Sequence, residues 1–307
     1  MTLDEITKKV LEQIDASGFK QSGAFNLRHN GIALCHGDSE HIKIKKKQDK
    51  PGIDIYIDGK TDGEEVHIPV VVDATGMTDV VYNDFYIGKN AKVYIIAGCG
   101  IHNDHHKDSQ HDGIHRFFLE EGAHVTYVEK HYGEGNGDGK RILNPVTEVH
   151  LKKGSSMDMN SVQIKGVDST VRVTKGVLED DTNFVVSEKI MTHGNQYAET
   201  LFEVELNGEN SSTQVTSRSV ATEDSKQKFM SKVFGNNKCF GHVECDAIIK
   251  DNGTVQAIPE ISANSVEANL IHEAAIGKIA GEQLTKLMTL GLTEKEAEEE
   301  IIKGFLR

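Results

Sequence analysis

Tryptophan is absent from this 307-residue chain, and proline occurs only four times. Cysteine is equally sparse. Cys35, Cys99, Cys239 and Cys245 form no CxxC pair and lack the density of a disulfide scaffold. In a reducing compartment such thiols stay free. No apolar run approaches the ~20 residues that cross a bilayer, and the first residues have no signal-peptide core. The reading is a cytoplasmic protein with no membrane partner. Basic residues are in deficit: 34 against 48 acidic side chains leave a formal charge of −14. That argues against nucleic acid or an anionic membrane as the main partner. The dinucleotide fingerprint, the phosphate-binding loop, the nucleophile elbow and the HExxH zinc helix are all missing. On residue chemistry alone, no enzyme class can be named.

Glycine, by contrast, is plentiful at 29 residues, which suits a fold with many tight corners. With 37% hydrophobic and 27% charged residues, a packed core is feasible and disorder is not expected. Residues 2–16 predict a short amphipathic helix. Thr2 and Glu5 fit a capping box, and Leu3, Ile6, Val10, Leu11 and Ile14 make an apolar stripe. Such a helix would dock on the body of the protein or on a partner subunit. The basic run Lys43–Lys47 reads as a solvated edge strand guarded by lysines.

From about residue 66 to 260 the pattern is strand nearly throughout. Segments such as Lys92–Ala97, His124–Glu129, Asn183–Glu188 and Leu201–Leu206 alternate or are β-branched. Turn signals recur at Gly88, Glu121, Lys153, Asp180, Asn207 and Asp251, at intervals of roughly 27 to 44 residues. A repeat of this size predicts a β-solenoid, because one coil cannot bury its inward face alone and stacked coils can. A β-sandwich or barrel is the rival, but few two-residue Asn-Gly or Asp-Gly loops join matched strands. After the strands, His272 and Glu273 open a predicted helix with Ala274, Ala275, Ile279, Leu284, Leu287 and Met288 on one stripe. Gly291 stops it, and Thr293 with Glu296 caps a second helix. These helices would either cap the open end of the solenoid or dock a partner protein. The expected organisation is an N-terminal helix (1–20), an all-β core (21–262) and a C-terminal helical segment (263–307).

Two places carry candidate chemistry. His102, His105, His106, His111 and His115 lie within fourteen residues, with Asp104, Asp108 and Asp112 among them. Imidazole and carboxylate suit first-row metals, although the spacing matches no tight zinc signature, and a solvated loop is the plainer reading. The second is Cys245 in His242-Val-Glu-Cys-Asp-Ala-Ile-Ile. In a strand, Val243 and Cys245 share one face, and His242, Glu244 and Asp246 share the other. A lone strand cysteine is usually a small buried hydrophobe, and a lone histidine such as His272 more often packs than ligates.

The C-terminal sequence changes that balance. HVECDAIIKDNGTVQAIPEI followed by SVEANLIHEAAIGKIAGEQLTKLMTLGLTEKEAEEEIIKGFL resembles the ending of the SufB/SufD family of iron–sulfur cluster assembly scaffolds. The segment GIHRFFLEEGAHVTYVEKHYG resembles an internal strand element of the same family. The resemblance spans roughly residues 65–307 and is most specific from Val243 onward. It implies a right-handed parallel β-helix flanked by helices, agreeing with the solenoid read from periodicity. It also implies a non-enzymatic scaffold that pairs through its β-helix and binds a SufC-like ABC ATPase through the C-terminal helices. By resemblance, Cys245 matches the scaffold cysteine, and His272 and Glu273 match the position that supplies non-thiolate ligands at the subunit interface. The implied cofactor is a transient iron–sulfur cluster, built from iron and from sulfur delivered by a donor protein. With few thiolates such a cluster would be labile. The chain departs from the family in lacking a long N-terminal helical region. It also carries Lys152 and Lys153 where another thiol is common, and an unusual histidine-rich loop. These departures suggest a short, homodimeric version without a separate D subunit. The alternatives are a β-helix metal-binding protein or metalloenzyme using the loop 102–115, and a subunit that only docks a partner.

Overall fold

The computed structural model describes residues 4–18 and 23–307. Helix α1 spans Glu5–Gln13, and its cap is Asp4, whose side chain accepts a hydrogen bond from the Thr7 amide at 2.7 Å. Thr2 and Leu3, expected to start this helix, lie outside the described residues. Two antiparallel pairs follow, β1 (Ala24–His29) with β2 (Ile32–Gly37) and β3 (Ile42–Lys46) with β4 (Gly52–Ile57). The chain continues through β5 (Asp62–His67), β6 (Val70–Val72), β7 (Thr78–Ile87), β8 (Lys92–His102), β9 (Ser109–Leu119) and β10 (His124–Glu134). Next come β11 (Arg141–Leu143), β12 (Val146–Leu151), β13 (Ser156–Lys165), β14 (Ser169–Leu178), β15 (Asn183–Thr192) and β16 (Tyr197–Leu206). The last coils are β17 (Ser211–Ala221), β18 (Lys226–Gly235), β19 (Cys239–Ile249), β20 (Thr254–Ala263) and β21 (Ala268–Gly277). Two helices, α2 (Gly281–Thr289) and α3 (Glu294–Phe305), complete the elements.

From β5 onward, successive strands fall alternately into two sheets, and every pairing is parallel. One sheet runs β5-β8-β10-β13-β15-β17-β19-β21, the other β4-β7-β9-β11-β14-β16-β18-β20, with β12 also bridging β9 and β14. This is a β-solenoid of about eight turns, an all-β core with one short helix before it and two after it. A sandwich would need antiparallel neighbours, which occur among the described strands only at β1/β2 and β3/β4. Residues stacked on the next coil lie 29 to 30 positions apart in the first coils, as in Gly52–Tyr82 and Val70–Cys99, 32 apart in the next, as in Thr78–Gln110 and His124–Ser156, and 27 to 29 apart in the later ones. One corner is a stack of left-handed residues, Asn90, Gly122, Gly154, Asp181 and Asn210. Each amide donates to a carbonyl one coil further on. The predicted Gly and Asn/Asp turn signals therefore mark the corners. Phe85, Phe117, Tyr127, Phe184 and Phe202 fill the interior, with Phe85 stacked on Phe117 at 4.5 Å.

The N-terminal helix sits as expected, and the C-terminal part departs from expectation. Helix α1 docks on the body, burying Val10, Leu11 and Ile14 against Leu27, Val71 and Tyr132. It lies on the outer face of β8, where a Cβ at Gly100 would come within 2.2 Å of Val10 Cγ1. Of the basic run, β3 is an edge strand as read, but Lys47 is buried, donating to Asp54 and to Asp84 at 2.7 Å. At the other end, strand continues to Gly277, so His272, Glu273, Ala274 and Ala275 belong to β21 rather than to a helix. β21 pairs in register with β19 from Cys239–Ala268 to Ile248–Gly277. That ladder outweighs the helix propensity of the alanine pair. Thr293 and Glu296 do form the predicted capping box.

The C-terminal helices do not plug the solenoid. α3 is held against outward side chains of the β15-β17-β19 sheet: Arg218 donates to the Phe305 carbonyl at 3.4 Å, and Lys250 pairs with Glu298. The last coil stays open. Ile261 and Ile276 carry on the inward rows of their sheets, yet are 43% and 41% exposed.

Candidate cluster site

β19 alternates as its sequence predicts. Cys239, Gly241, Val243, Cys245 and Ala247 face inward, and Phe240, His242, Glu244 and Asp246 face outward. Cys245 is buried, flanked in register by Ser217 of β17 and Ala274 of β21. Burial first, then the charges of Glu188 and Asp246, push its thiol up to about 12. At neutral pH this sulfur is therefore a thiol, and it becomes a ligand only when a metal ion displaces the proton.

His272 is in register with Val243, so it shares the inward face with Cys245, one position along the row. The ring is half-buried, its Nδ1 is 3.5 Å from Ser231 Oγ, and its Nε2 has no hydrogen-bond partner. Burial, with a smaller contribution from His242, lowers its pKa, so the imidazole is neutral and offers a free nitrogen. Glu273, as the next residue in a strand, faces the opposite way. It lies beside Glu244 in register and 3.5 Å from His242 Nε2, with two-thirds of its side chain exposed. The fold thus brings Cys245 and His272 to one face and sets Glu273 on the other, in an acidic row with Glu244 and Asp246. Glu244 is held above its usual value, first by its hydrogen bond to Asp246 and then by burial.

Cys245 also ends a buried polar row that sequence reading missed. Glu129, Ser161, Glu188, Ser217 and Cys245 are stacked in register on five successive coils. Arg172 reaches across from the other sheet, donating to Glu129 at 2.7 Å and His131 at 3.0 Å, with Glu188 at 3.4 Å. Ser217 donates to Glu188 at 3.0 Å. On the far side, Tyr127 donates to Glu129 at 3.0 Å and pairs with His115 Nδ1 at 2.7 Å. His115 Nε2 lies 3.3 Å from Asn83, which lines a 730 Å³ cleft between the two N-terminal hairpins. Burial opposes the charge on Glu129, but His131 and Arg172 outweigh it and hold the carboxylate well below its usual range. The clue was the spacing: inward polar residues recurring at the coil length, and Arg172 inside the β-branched run Thr-Val-Arg-Val-Thr.

The histidine-rich stretch does not converge. His102 closes β8 and bonds Glu134 at 3.0 Å and Asp104 at 2.8 Å. His105 is exposed, and His106 pairs with Asp138 at the surface. His111 and His115 belong to β9 and point into the solenoid, His111 against Asp79 at 3.0 Å. Among the described residues, no three metal-ligating groups of this stretch lie within 4.8 Å of one another. A strand where a loop was expected pulls the set apart.

Burial lowers His115 to about 4, with the Glu129 charge only partly opposing it. An unfolded histidine titrates near ~6.5, so as pH falls the unfolded chain takes up this proton first. The stability His115 contributes is complete above ~6.5 and is lost from there toward about 4. Urea unfolding at pH 7, 6 and 5 should show a loss of about 2 kcal/mol from this ring alone, reduced in His115→Gln. A flat wild-type profile would mean that the ring is not buried in its neutral form.

The molecule is a parallel β-solenoid with a buried thiol and an imidazole side by side on the inward face near its last coil, a donor pair that suits a soft metal. The family model described as "SUF system FeS cluster assembly, SufBD core domain" matches residues 72–305, and the chain belongs to this SufBD family. It is 25% identical over 291 residues to an iron-sulfur cluster assembly SufBD family protein of Methanocaldococcus jannaschii, covering 94% of this chain and 88% of that one. A relative of the same description from Pyrococcus horikoshii is 27% identical, covering 99% of this chain and 92% of its own. Another, from Methanothermobacter thermautotrophicus, is 29% identical over 223 residues, and there the match spans only 53% of the relative's length.

Proposed function

We propose that this chain is a scaffold on which an iron–sulfur cluster is assembled and then released, with Cys245 and His272 as ligands from one chain. The observation that carries this reading is their shared inward face at the end of the solenoid, where Ile261 and Ile276 are half-exposed among the described residues. Family membership supports the chemistry. Sulfur would come from a donor protein. A SufC-like ABC ATPase would bind α2 and α3, which bury little of themselves on the body. The chain itself would turn over no substrate: ATP hydrolysis in the partner would open the scaffold. We place the protein in the cytoplasm, where its four free thiols would stay reduced. The test is iron, sulfide and visible absorbance on protein co-expressed with the ATPase and purified without oxygen. Absence of both iron and sulfide, before and after anaerobic reconstitution, would sink the reading.

Homodimerisation belongs to the same proposal. β20 and β21 end their sheets with unpaired edges, and half-exposed Ile261 and Ile276 leave interior surface for a second copy to cover. Glu273 faces away from Cys245 within one chain, so it would act as a ligand only across such an interface. Sedimentation of wild type should give a dimer, and Ile261→Lys with Ile276→Lys a folded monomer. A monomeric wild type at tens of micromolar, alone and with the ATPase, would refute the pairing.

A further inference from the structure

We propose that Asp4, His29 and Asp73 form a divalent-cation site that clamps helix α1 onto the solenoid. The three residues come from separate segments. Asp4 precedes α1, His29 ends β1, and Asp73 follows β6. One ligand atom from each lies within 4.8 Å of the others. His29 Nε2 is 2.9 Å from Asp73 Oδ2.

The carboxylates are oriented by hydrogen bonds from neighbouring groups. Asp4 Oδ1 accepts from the Thr7 amide at 2.7 Å, and Asp73 Oδ1 accepts from Asn30 Nδ2 at 2.6 Å. Asn30 is itself fixed, because its Oδ1 accepts from the amides of Asp73 and Ala74 at 2.9 and 3.0 Å. A shell that holds two carboxylates beside one ring nitrogen, with Asp73 Oδ2 bonded to His29 Nε2 where a cation would sit between them, is the arrangement of oriented metal ligands. Two carboxylates face one imidazole, an excess of acidic groups that a divalent cation would balance. One nitrogen and two oxygens suit a first-row divalent ion such as Zn²⁺ or Mn²⁺, with remaining positions for water. The absence of a thiol sets this site apart from Cys245. Its effect would be mechanical: the apolar face of α1 is already docked through Val10, Leu11 and Ile14, and the ion would pin the start of the helix.

The experiment is amide hydrogen exchange on the full chain with and without Zn²⁺, alongside equilibrium dialysis. Wild type, Asp4→Asn, His29→Gln and Cys245→Ser are compared. Zn²⁺ should slow exchange across Glu5–Gln13 about tenfold in wild type and in Cys245→Ser. Asn caps a helix as well as Asp, so Asp4→Asn should keep α1 formed in the absence of metal, yet bind this ion at least tenfold more weakly. His29→Gln should do the same. If Zn²⁺ leaves α1 exchange unchanged in wild type, or protects it equally in Asp4→Asn, the site is refuted. Should His29→Gln fail to fold, Asp4→Asn decides alone.

Discussion

Purified without oxygen beside a co-expressed SufC-like ATPase, the proposed partner, the Cys245→Ser protein is expected to carry about a tenth or less of the wild-type iron and sulfide. The substitution nearly conserves volume, and Ser217 stands beside the position, so the interior should accept a hydroxyl. What disappears is the only atom there that a metal can convert to a soft anionic ligand, because a serine hydroxyl does not ionise at neutral pH. The other thiols supply the controls. Cys239 also faces inward on β19 but at the start of the strand, and Cys99 is buried beside His131, its thiol driven well above the ordinary value by burial. Cys239→Ser and Cys99→Ser should therefore keep their iron and sulfide. His272→Ala should lose part of both, since its Nε2 would be the second inward ligand of the proposed site. Glu273→Gln should matter only where dimers form. Iron without sulfide, retained in Cys245→Ser, would locate metal binding elsewhere on the chain. Equal iron and sulfide in wild type and Cys245→Ser would remove the thiol from the site.

The solenoid was legible because its corners require left-handed residues, so Asn90, Gly122, Gly154 and Asp181 recur at the coil length. The facing of Cys245 was legible too, since alternation within one strand is local. What lay beyond reading was pairing. Ala274 and Ala275 look helical by propensity, and only the ladder to β19 makes them strand. That single difference decides whether His272 and Glu273 act together or on opposite faces. The five histidines failed likewise: His115 reads as entering the next strand, but that strand starts earlier, at Ser109, and carries His111 inward with it. Arg172 and Glu129 lie 43 residues apart, and Asp4 and Asp73 belong to different elements, so neither grouping exists before the chain coils.

Replacing Arg172 by methionine is expected to destabilise the protein by about 3–5 kcal/mol. Its guanidinium is 4% exposed and sits between Glu129 and Glu188, which are almost as deeply buried. Methionine fills much of the volume but takes the one guanidinium away from two carboxylates in the interior, leaving only the His131 ring beside Glu129, which costs far more than the pair contributes when intact. The control is Arg172→Met together with Glu129→Gln and Glu188→Gln, which removes the stranded charges and should recover most of the loss. The pH dependence separates this from a packing defect. In wild type, Glu129 is held below its unfolded value, so the stability it contributes falls as pH drops. In Arg172→Met, Glu129 should lose the cation that holds it down and be raised by its burial above its unfolded value. Folding then binds protons, and stability falls as pH rises through the raised value. The gap between variant and wild type in urea should therefore be widest at pH 7 and close as pH falls to 5. A gap independent of pH, or one below ~1 kcal/mol at pH 7, would show that Arg172 is not the charge that makes this polar row tolerable inside the solenoid.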